Sequence, residues 1–145
     1  MRTPEVLLVD DNPADTDLTS EVLARTGSPS HIHAVTDGVE AMAFLRREGK
    51  YANALLPDLV ILDLSLPKKD GRTVLAEVKA DPVLRKIPIA IFSTSEAQRD
   101  IVRSYELGAN CYVSKPGNLQ GFISAVTSIG EFWFGLARLP REESL

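Results

Sequence analysis

Six side chains stand directly after short, mainly apolar runs of this sequence, where they could do chemistry together. They are three acids, two hydroxyls and one ammonium group: Asp10, Asp11, Asp63, Ser93, Thr94 and Lys115. Carboxylates gathered in one pocket repel one another, and a hard cation such as Mg²⁺ removes that penalty. An aspartate can accept a phosphoryl group as a nucleophile, and a lysine supplies a mobile positive charge for the phosphate. The set therefore predicts Mg²⁺-assisted phosphoryl transfer onto Asp63, with an aspartyl phosphate as the product.

These side chains meet only if the chain folds as a parallel sheet. Strands are predicted over residues 5–10, 31–35, 59–62, 87–92 and 110–114. The central run, residues 59–62, is apolar without alternation, which is typical of a strand buried on both faces. Strand and helix alternate five times, which predicts an α/β fold: a doubly wound, five-stranded parallel sheet of flavodoxin-like topology with strand order 2-1-3-4-5. In that order the carboxyl ends of strands one and three are neighbours, which would bring the three acids together.

Capping signals mark where helices begin. Asn12 precedes Pro13 at the start of the first helix, and Ser95 with Gln98 forms a capping pair for the fourth. The predicted helices cover residues 12–24, 37–48, 71–79, 95–108 and 118–134, with a turn over residues 27–30. The buried face of the first helix is predicted to hold these residues: Ala14, Leu18, Val22 and Ala24.

Composition and charge limit the class of protein. With 145 residues, 44% hydrophobic and 25% charged, the chain is expected to form one globular domain, residues 1–145, without an output domain. A net charge of −4 without a basic stripe argues against binding to nucleic acid. The apolar runs are too short to cross a bilayer, and no signal peptide is recognised. One cysteine allows no internal disulfide, so a cytoplasmic location is predicted.

Five motifs in order resemble the receiver domain of two-component response regulators, over essentially the whole chain. They are Asp10-Asp11, Asp63 with Pro67, Asp70-Gly71, Ser93-Thr94, and Tyr112 with Lys115-Pro116. The resemblance implies a signalling domain rather than an enzyme, with at most autocatalytic phosphorylation and dephosphorylation. It implies that a sensor histidine kinase phosphorylates Asp63 and that a downstream protein responds.

The resemblance also implies which residues bind the metal. Asp11, Asp63 and the backbone carbonyl of Ser65 would be direct ligands of Mg²⁺, and Asp10 would act through water.

Other residues would contact the phosphoryl group or respond to it. The resemblance implies that the hydroxyl of Ser93 and the amide of Thr94 contact the phosphoryl group and that Lys115 pairs with it. The Lys115–Pro116 peptide bond would be cis, and Tyr112 would be the ring that swings inward when Ser93 moves.

A narrower likeness is to the small stand-alone response regulators partnered with bacterial phytochrome kinases. It rests on residues 64–72, 74–79, 93–95 and 131–133 and implies that the kinase is a phytochrome. Many of those relatives have Glu-Asp where this chain has Asp10-Asp11, and the shorter acid keeps the charge.

The last predicted helix has more apolar residues than one face can bury. Phe122 and Trp133 fit one face, whereas Phe132 and Phe134 flank Trp133 and are not expected to share it. An exposed apolar patch often marks an interface. A homodimer through this helix and the tail, residues 119–145, is therefore predicted, as the phytochrome-partner resemblance also implies. Its predicted interface residues are Phe122, Phe132, Trp133 and Phe134.

Two other functions are compatible with an aspartate at the edge of an α/β sheet. A Mg²⁺-dependent phosphatase of the haloacid-dehalogenase type also uses an aspartate nucleophile, but it needs a second acid two residues later, where this chain has Ser65. A flavodoxin-like nucleotide binder would need a glycine-rich phosphate loop after strand one, and none follows.

Single residues of the site also have structural interpretations when each is considered alone. Asp63 could be a turn residue, Lys115 a surface lysine and Tyr112 a packing residue. His31 and His33 lie on a polar strand face and are not expected to bind a metal.

Overall fold

A computed structural model describes residues 3–26 and 30–140, in which five parallel strands form one sheet. The strands are β1 (Glu5–Val9), β2 (His31–Val35), β3 (Leu59–Leu62), β4 (Ile89–Ser93) and β5 (Cys111–Ser114). Their order is β2-β1-β3-β4-β5, which confirms the predicted topology. Strand β4 begins later than predicted, because Pro88 has no N–H to donate to a neighbouring strand.

Helices alternate with the strands and cover both faces of the sheet. They are α1 (Pro13–Ala24), α2 (Gly38–Leu45), α3 (Gly71–Ala80), α4 (Gln98–Glu106) and α5 (Leu119–Gly130). A 3-10 turn follows α2 over Gly49–Tyr51, and a π-helical turn follows α5 over Glu131–Leu136. In the described part of the chain, no helix has the length and apolar character that crossing a membrane requires. Most of the predicted turn over residues 27–30, and residues 141–145 of the predicted tail, lie outside the described residues.

The sheet separates two apolar clusters, and β1 and β3 contribute to both. Leu7 and Val60 point into a cluster completed by α2 and α3, whereas Val6 and Ile61 point into a cluster completed by α1 and α5. Successive side chains of a strand point to opposite faces, so a strand with helices on both sides needs apolar residues at every position. This is why the central run shows no alternation. Because β3 is buried on both faces, it also anchors the residues that follow it.

The predicted buried face of α1 is partly wrong. Thr19, Val22 and Leu23 are buried, whereas Ala14 and Ala24 are exposed. The helical period of 3.6 residues places positions 19, 22 and 23 on one side. The larger side chains of that side contact the sheet.

The predicted capping pair of α4 is also wrong. The residue before α4 is Ala97, which has no side-chain cap. Ser95 Oγ instead donates to Asp100 Oδ2 at 2.6 Å, and α4 begins at Gln98, two residues later than a cap at Ser95 would place it. Gly108 ends the helix with φ +107°, as predicted.

The end of the last helix differs from the predicted continuous helix over residues 118–134. Helix α5 ends at Gly130, and the wider π-helical turn that follows allows both Trp133 and Phe134 to contact the apolar cluster beneath α5. Phe132 remains 48% exposed. Phe122 is 6% exposed and lies 5.2 Å from the ring of Phe92 in the core.

The two histidines of β2 contact a buried carboxylate. Glu5, at the start of β1, lies 2.5 Å from His31 Nδ1 and 2.8 Å from His33 Nε2. Burial raises the pKa of the Glu5 carboxyl, but hydrogen bonds from His33 and His31 outweigh burial, so the pKa lies below its ordinary value. The histidines therefore hold the edge strand β2 to β1.

Replacing Glu5 with glutamine is expected to lower the free energy of unfolding by about 1–3 kcal/mol near pH 7. Because the folded-state pKa is the lower one, ionised Glu5 stabilises the fold above its unfolded value of 4.5. That contribution disappears as the pH falls through the folded-state pKa, so wild type and variant should converge in acid. Urea unfolding at a series of pH values tests this, with Glu96→Gln, an exposed glutamate, as the control. A difference that stays constant with pH would contradict the interpretation.

Candidate functional site

The structure brings the side chains that are predicted to take part in phosphoryl transfer to one edge of the sheet. Asp10 follows β1, Asp63 follows β3, Ser93 ends β4 and Lys115 follows β5, and all four are buried. The backbone keeps its strand-like hydrogen bonds at these positions. The Asp63 amide donates to the carbonyl of Val9 at 3.0 Å, and the Lys115 amide donates to that of Ser93 at 2.7 Å. The strand ladders therefore fix these residues next to one another.

The ammonium group of Lys115 lies among carboxylates. Its Nζ donates to Asp10 Oδ2 at 2.8 Å, to Asp63 Oδ2 at 2.9 Å and to Asp15 Oδ2 at 3.0 Å. The Lys115 side chain is 4% exposed. Burial alone lowers the pKa of this lysine, but Asp10 and Asp63 outweigh it and hold the pKa above its ordinary value. Lys115 is therefore charged at neutral pH and offsets part of the acidic charge.

Three carboxylates form a group that fits a divalent cation. Ligand oxygens of Asp10, Asp11 and Asp63 all lie within 4.8 Å of one another. Asp11 is exposed, so the group opens to solvent on one side. Burial is the largest influence on Asp10 and raises the pKa of its carboxyl, although Lys115 opposes it. Oxygen donors, unbalanced negative charge and access for water suit Mg²⁺, which usually keeps several waters beside one or two carboxylates.

The Asp63 carboxylate is held in one orientation. Its Oδ1 accepts hydrogen bonds from Ser93 Oγ at 3.0 Å and from the Ser65 amide at 3.1 Å, and its Oδ2 accepts from Lys115. A carboxylate that is fixed by hydrogen bonds on both oxygens is positioned for attack in a single direction. Thr94, the residue after Ser93, is exposed at the same edge.

The loop after β4 is connected to three neighbouring elements. The Tyr112 hydroxyl of β5 donates to the carbonyl of Ser95 at 2.9 Å. Ser95 Oγ donates to Asp100 of α4, and Asp100 in turn lies 3.0 Å from Nη2 of Arg72, which belongs to α3. A movement of Ser93 that shifts this loop would therefore disturb its contacts with β5 and α4 and, through Asp100, with α3.

Comparison with known proteins identifies the family. Residues 6–127 match the family described as the response regulator receiver domain. The chain belongs to this family. It is similar to the response regulator Rcp1 of Synechocystis sp., with 44% identity over 135 residues, which are 93% of this chain and 92% of Rcp1.

Solved structures of receiver domains have the same fold. The crystal structure of the phosphorylated cyanobacterial phytochrome response regulator RcpA has a TM-score of 0.93 and 51% sequence identity, covering 97% of this chain and all of that one. The Mn²⁺-bound form of Rcp1 also has a TM-score of 0.93, with 43% identity and coverage of 95% of this chain and 99% of that one. This receiver domain is therefore related to the phytochrome response regulators.

These findings give no support to a phosphatase of the haloacid-dehalogenase type. Receiver domains are signalling domains rather than classical enzymes. In this chain the second position after Asp63 is Ser65, whose amide donates to the carboxylate. No acid therefore stands where such an enzyme would need one to protonate a leaving group.

One member of the receiver site was not recognised in the sequence. Asp15 lies in the first turn of α1 and reaches Lys115, which is 100 positions away in the chain. The available signal was its place three residues after the helix cap Asn12, since α1 begins at the same edge of the sheet. The predicted site includes the acids before this helix but not the acid within it.

One implied feature of the receiver site differs in this structure. The described residues contain no cis peptide bond, so the bond between Lys115 and Pro116 is trans rather than cis. The lysine nevertheless reaches Asp63.

Proposed function

We propose that this chain is a stand-alone response regulator that accepts a phosphoryl group on Asp63 from a sensor histidine kinase. The observation that best supports this proposal is the Asp63 carboxylate itself. It is buried, fixed by Ser93 and Lys115, and grouped with Asp10 and Asp11. The cytoplasmic location stays a prediction.

In the proposed reaction, an Asp63 carboxylate oxygen attacks the phosphorus of a phosphohistidine. The new P–O bond forms as the P–N bond breaks, and the electron pair returns to the imidazole, which takes up a proton. Asp10, Asp11, Asp63 and the Ser65 carbonyl would hold Mg²⁺, and the ion would supply positive charge that offsets charge on the phosphoryl oxygens. Attack by water on the aspartyl phosphate later releases inorganic phosphate and restores the carboxylate.

Lys115 and Ser93 would recognise the phosphoryl group once it is attached. The Lys115 ammonium already lies 2.9 Å from Asp63 and needs little movement to pair with a phosphoryl oxygen. The Ser93 hydroxyl would exchange its bond to Asp63 Oδ1 for one to the phosphoryl group, with the Thr94 amide as a second donor. Lys115 and Ser93 would thus recognise the product, whereas Asp63 accepts the phosphoryl group.

Phosphorylation would change a binding surface by moving the loop after β4. The modification adds a charge of about −1.5 to −2 at the sheet edge and draws Ser93 toward it. Ser95 follows in the chain, so its contacts with Tyr112 and Asp100 would change as well. The face formed by α4, β5 and α5 would then bind or release a partner protein, by a shift between two pre-existing states.

We further propose that the kinase is a phytochrome. The similarity to Rcp1 and to RcpA over nearly the full chain supports this assignment. Purified kinases with and without a phytochrome sensor, each offered this chain in competition, would test it. Faster transfer from kinases of another class would contradict it.

The proposed phosphoacceptor has a direct test. With a phosphorylated kinase and Mg²⁺, wild type should gain one phosphoryl group, and Asp63→Asn should reduce labelling at least about 100-fold because an amide is not a nucleophile here. The matched control is Asp17→Asn, which removes an exposed acid from α1. Intact-protein mass spectrometry with peptide mapping gives the site, and label on any other residue would refute the proposal.

A homodimer through the C-terminal segment is part of the same proposal. Phe132 and Leu136 are 48% and 76% exposed. The rings of Phe132 and Trp133 pack edge to face, with 5.1 Å between their centroids. Phe122 must be removed from the predicted interface, because it is buried within the monomer. The proposed contact therefore consists of Phe132 with the exposed parts of Trp133 and Phe134.

Sedimentation velocity tests the dimer. Wild type should show a concentration-dependent increase in mass, and Phe132→Ala should raise the dimer dissociation constant about tenfold, because exposed aromatic side chains often dominate interfaces. Val83→Ala, at an exposed apolar residue outside this segment, is the control. A monomeric mass at every concentration, with and without phosphorylation, would exclude the dimer.

A further inference from the structure

The Lys115 ammonium has one partner that lies outside the predicted metal ligands. It has three N–H bonds, and the structure uses them on Asp10, Asp63 and Asp15. Asp10 and Asp63 belong to the carboxylate group that fits a cation, whereas Asp15 does not. Asp15 is fixed at this place because its amide donates to Asn12 Oδ1 at 3.1 Å, which caps α1.

We propose that Asp15 is a positioning residue that restrains Lys115 and competes with the phosphoryl group for one of its N–H bonds. This inference rests on the proposed function of Asp63. Asp15 would act through Lys115, which is its partner at 3.0 Å.

The three hydrogen bonds of Lys115 are not equally easy to give up. A phosphoryl oxygen that approaches Lys115 must displace one of them, because an ammonium on a side chain has three donors. The side chains of Asp10 and Asp63 are 4% and 9% exposed, so the Asp10 carboxylate, or the Asp63 oxygen that carries no phosphoryl group, would be left buried without this partner. The Asp15 side chain is 26% exposed and can be hydrated when it is released. The hydrogen bond to Asp15 is therefore the one that the phosphoryl oxygen would displace.

The charge of Asp15 has opposite effects on the two ligands of the site. A carboxylate this close to Asp10 and Asp63 attracts a cation to the site and repels an anion. Its removal should therefore weaken the binding of Mg²⁺ and strengthen the binding of a phosphoryl group, which also gains a free N–H of Lys115. Loss of local structure would weaken both, so the two effects distinguish positioning from structural damage.

Isothermal titration calorimetry on the full chain tests this inference with two probes. The first probe is Mg²⁺ alone, and the second is beryllofluoride, a mimic of the aspartyl phosphoryl group, at saturating Mg²⁺. For Asp15→Asn the Mg²⁺ dissociation constant should rise about two- to fivefold and that of beryllofluoride should fall about three- to tenfold. Asp15→Ala should behave in the same way, and Asp15→Glu should return both constants toward wild type.

The control variant is Asp17→Asn, which removes an equal charge from an exposed position on α1. It should change neither dissociation constant more than about twofold.

The possible failures are separable. If wild type binds Mg²⁺ and beryllofluoride but Asp15→Asn and Asp15→Ala weaken both or alter neither, the inference is overturned and the proposed function stands. Equal effects of Asp17→Asn and Asp15→Asn would also overturn it, because the effect would then be one of net charge. If wild type binds neither probe, the proposed function of Asp63 fails, and the inference fails with it.

Discussion

Replacing Lys115 with methionine is expected to lower the free energy of unfolding by about 3–5 kcal/mol in the absence of Mg²⁺. Methionine fills much of the same volume but leaves Asp10 and Asp63 buried without their cation. The phosphoryl group would also lose its ammonium partner, so the response to phosphorylation should be lost in the same variant. Urea unfolding and beryllofluoride binding measure the two effects.

Mg²⁺ and acid should each restore part of the stability of Lys115→Met. The ion supplies positive charge to the same carboxylates, and protonation removes their charge. Burial already raises the pKa of Asp10 against the influence of Lys115, so without the lysine this carboxyl should take up a proton at still higher pH. In wild type, Lys115 stabilises the fold below its unfolded pKa of 10.5, and this contribution is lost only as the pH rises through the higher folded-state pKa.

A half-buried lysine, Lys79, is the control for this prediction. Lys79 Nζ donates to the carbonyls of Arg85 and Ile87 and to Asn110 Oδ1, and no carboxylate is among these partners. Lys79→Met should therefore destabilise the fold without any rescue by Mg²⁺. Rescue of both variants, or of neither, would contradict the proposed role of Lys115 as the counter-ion of the site.

Replacing Gly71 with alanine is expected to lower the free energy of unfolding by about 3 kcal/mol and to weaken Mg²⁺ binding. A Cβ at this first residue of α3 would lie 2.2 Å from the carbonyl oxygen of Asp63 and 2.7 Å from the Cα of Leu64. These are backbone atoms, so no side-chain rotation relieves the overlap. The strand end that positions Asp63 must move instead.

The same substitution in an open position gives the matched control. No atom lies within 4 Å of a Cβ built on Gly117, so Gly117→Ala should change unfolding by less than about 1 kcal/mol. Urea unfolding and Mg²⁺ titration of both variants measure the difference. A Gly71→Ala protein as stable as Gly117→Ala, with normal Mg²⁺ affinity, would show that the close approach is not required.

The sequence by itself determined the architecture and the centre of the site. Apolar runs such as residues 59–62 predict buried parallel strands, and five alternations of strand and helix predict the strand order. Asp63 and Lys115 could be assigned to one edge because parallel strands place their carboxyl ends together. These predictions depend on periodicity and order along the chain, which are local properties that a sequence displays directly.

Other features were decided only by the tertiary structure. The bond of Ser95 to Asp100, in place of a helix cap, depends on where α4 lies relative to the loop and to Arg72. The inward position of Phe134 depends on a π-helical turn that the usual helical period does not predict. The contact of Asp15 with Lys115 joins residues 100 positions apart. Its formation depends on how α1 packs against the sheet, because only that packing fixes the distance between two side chains so far apart in the chain.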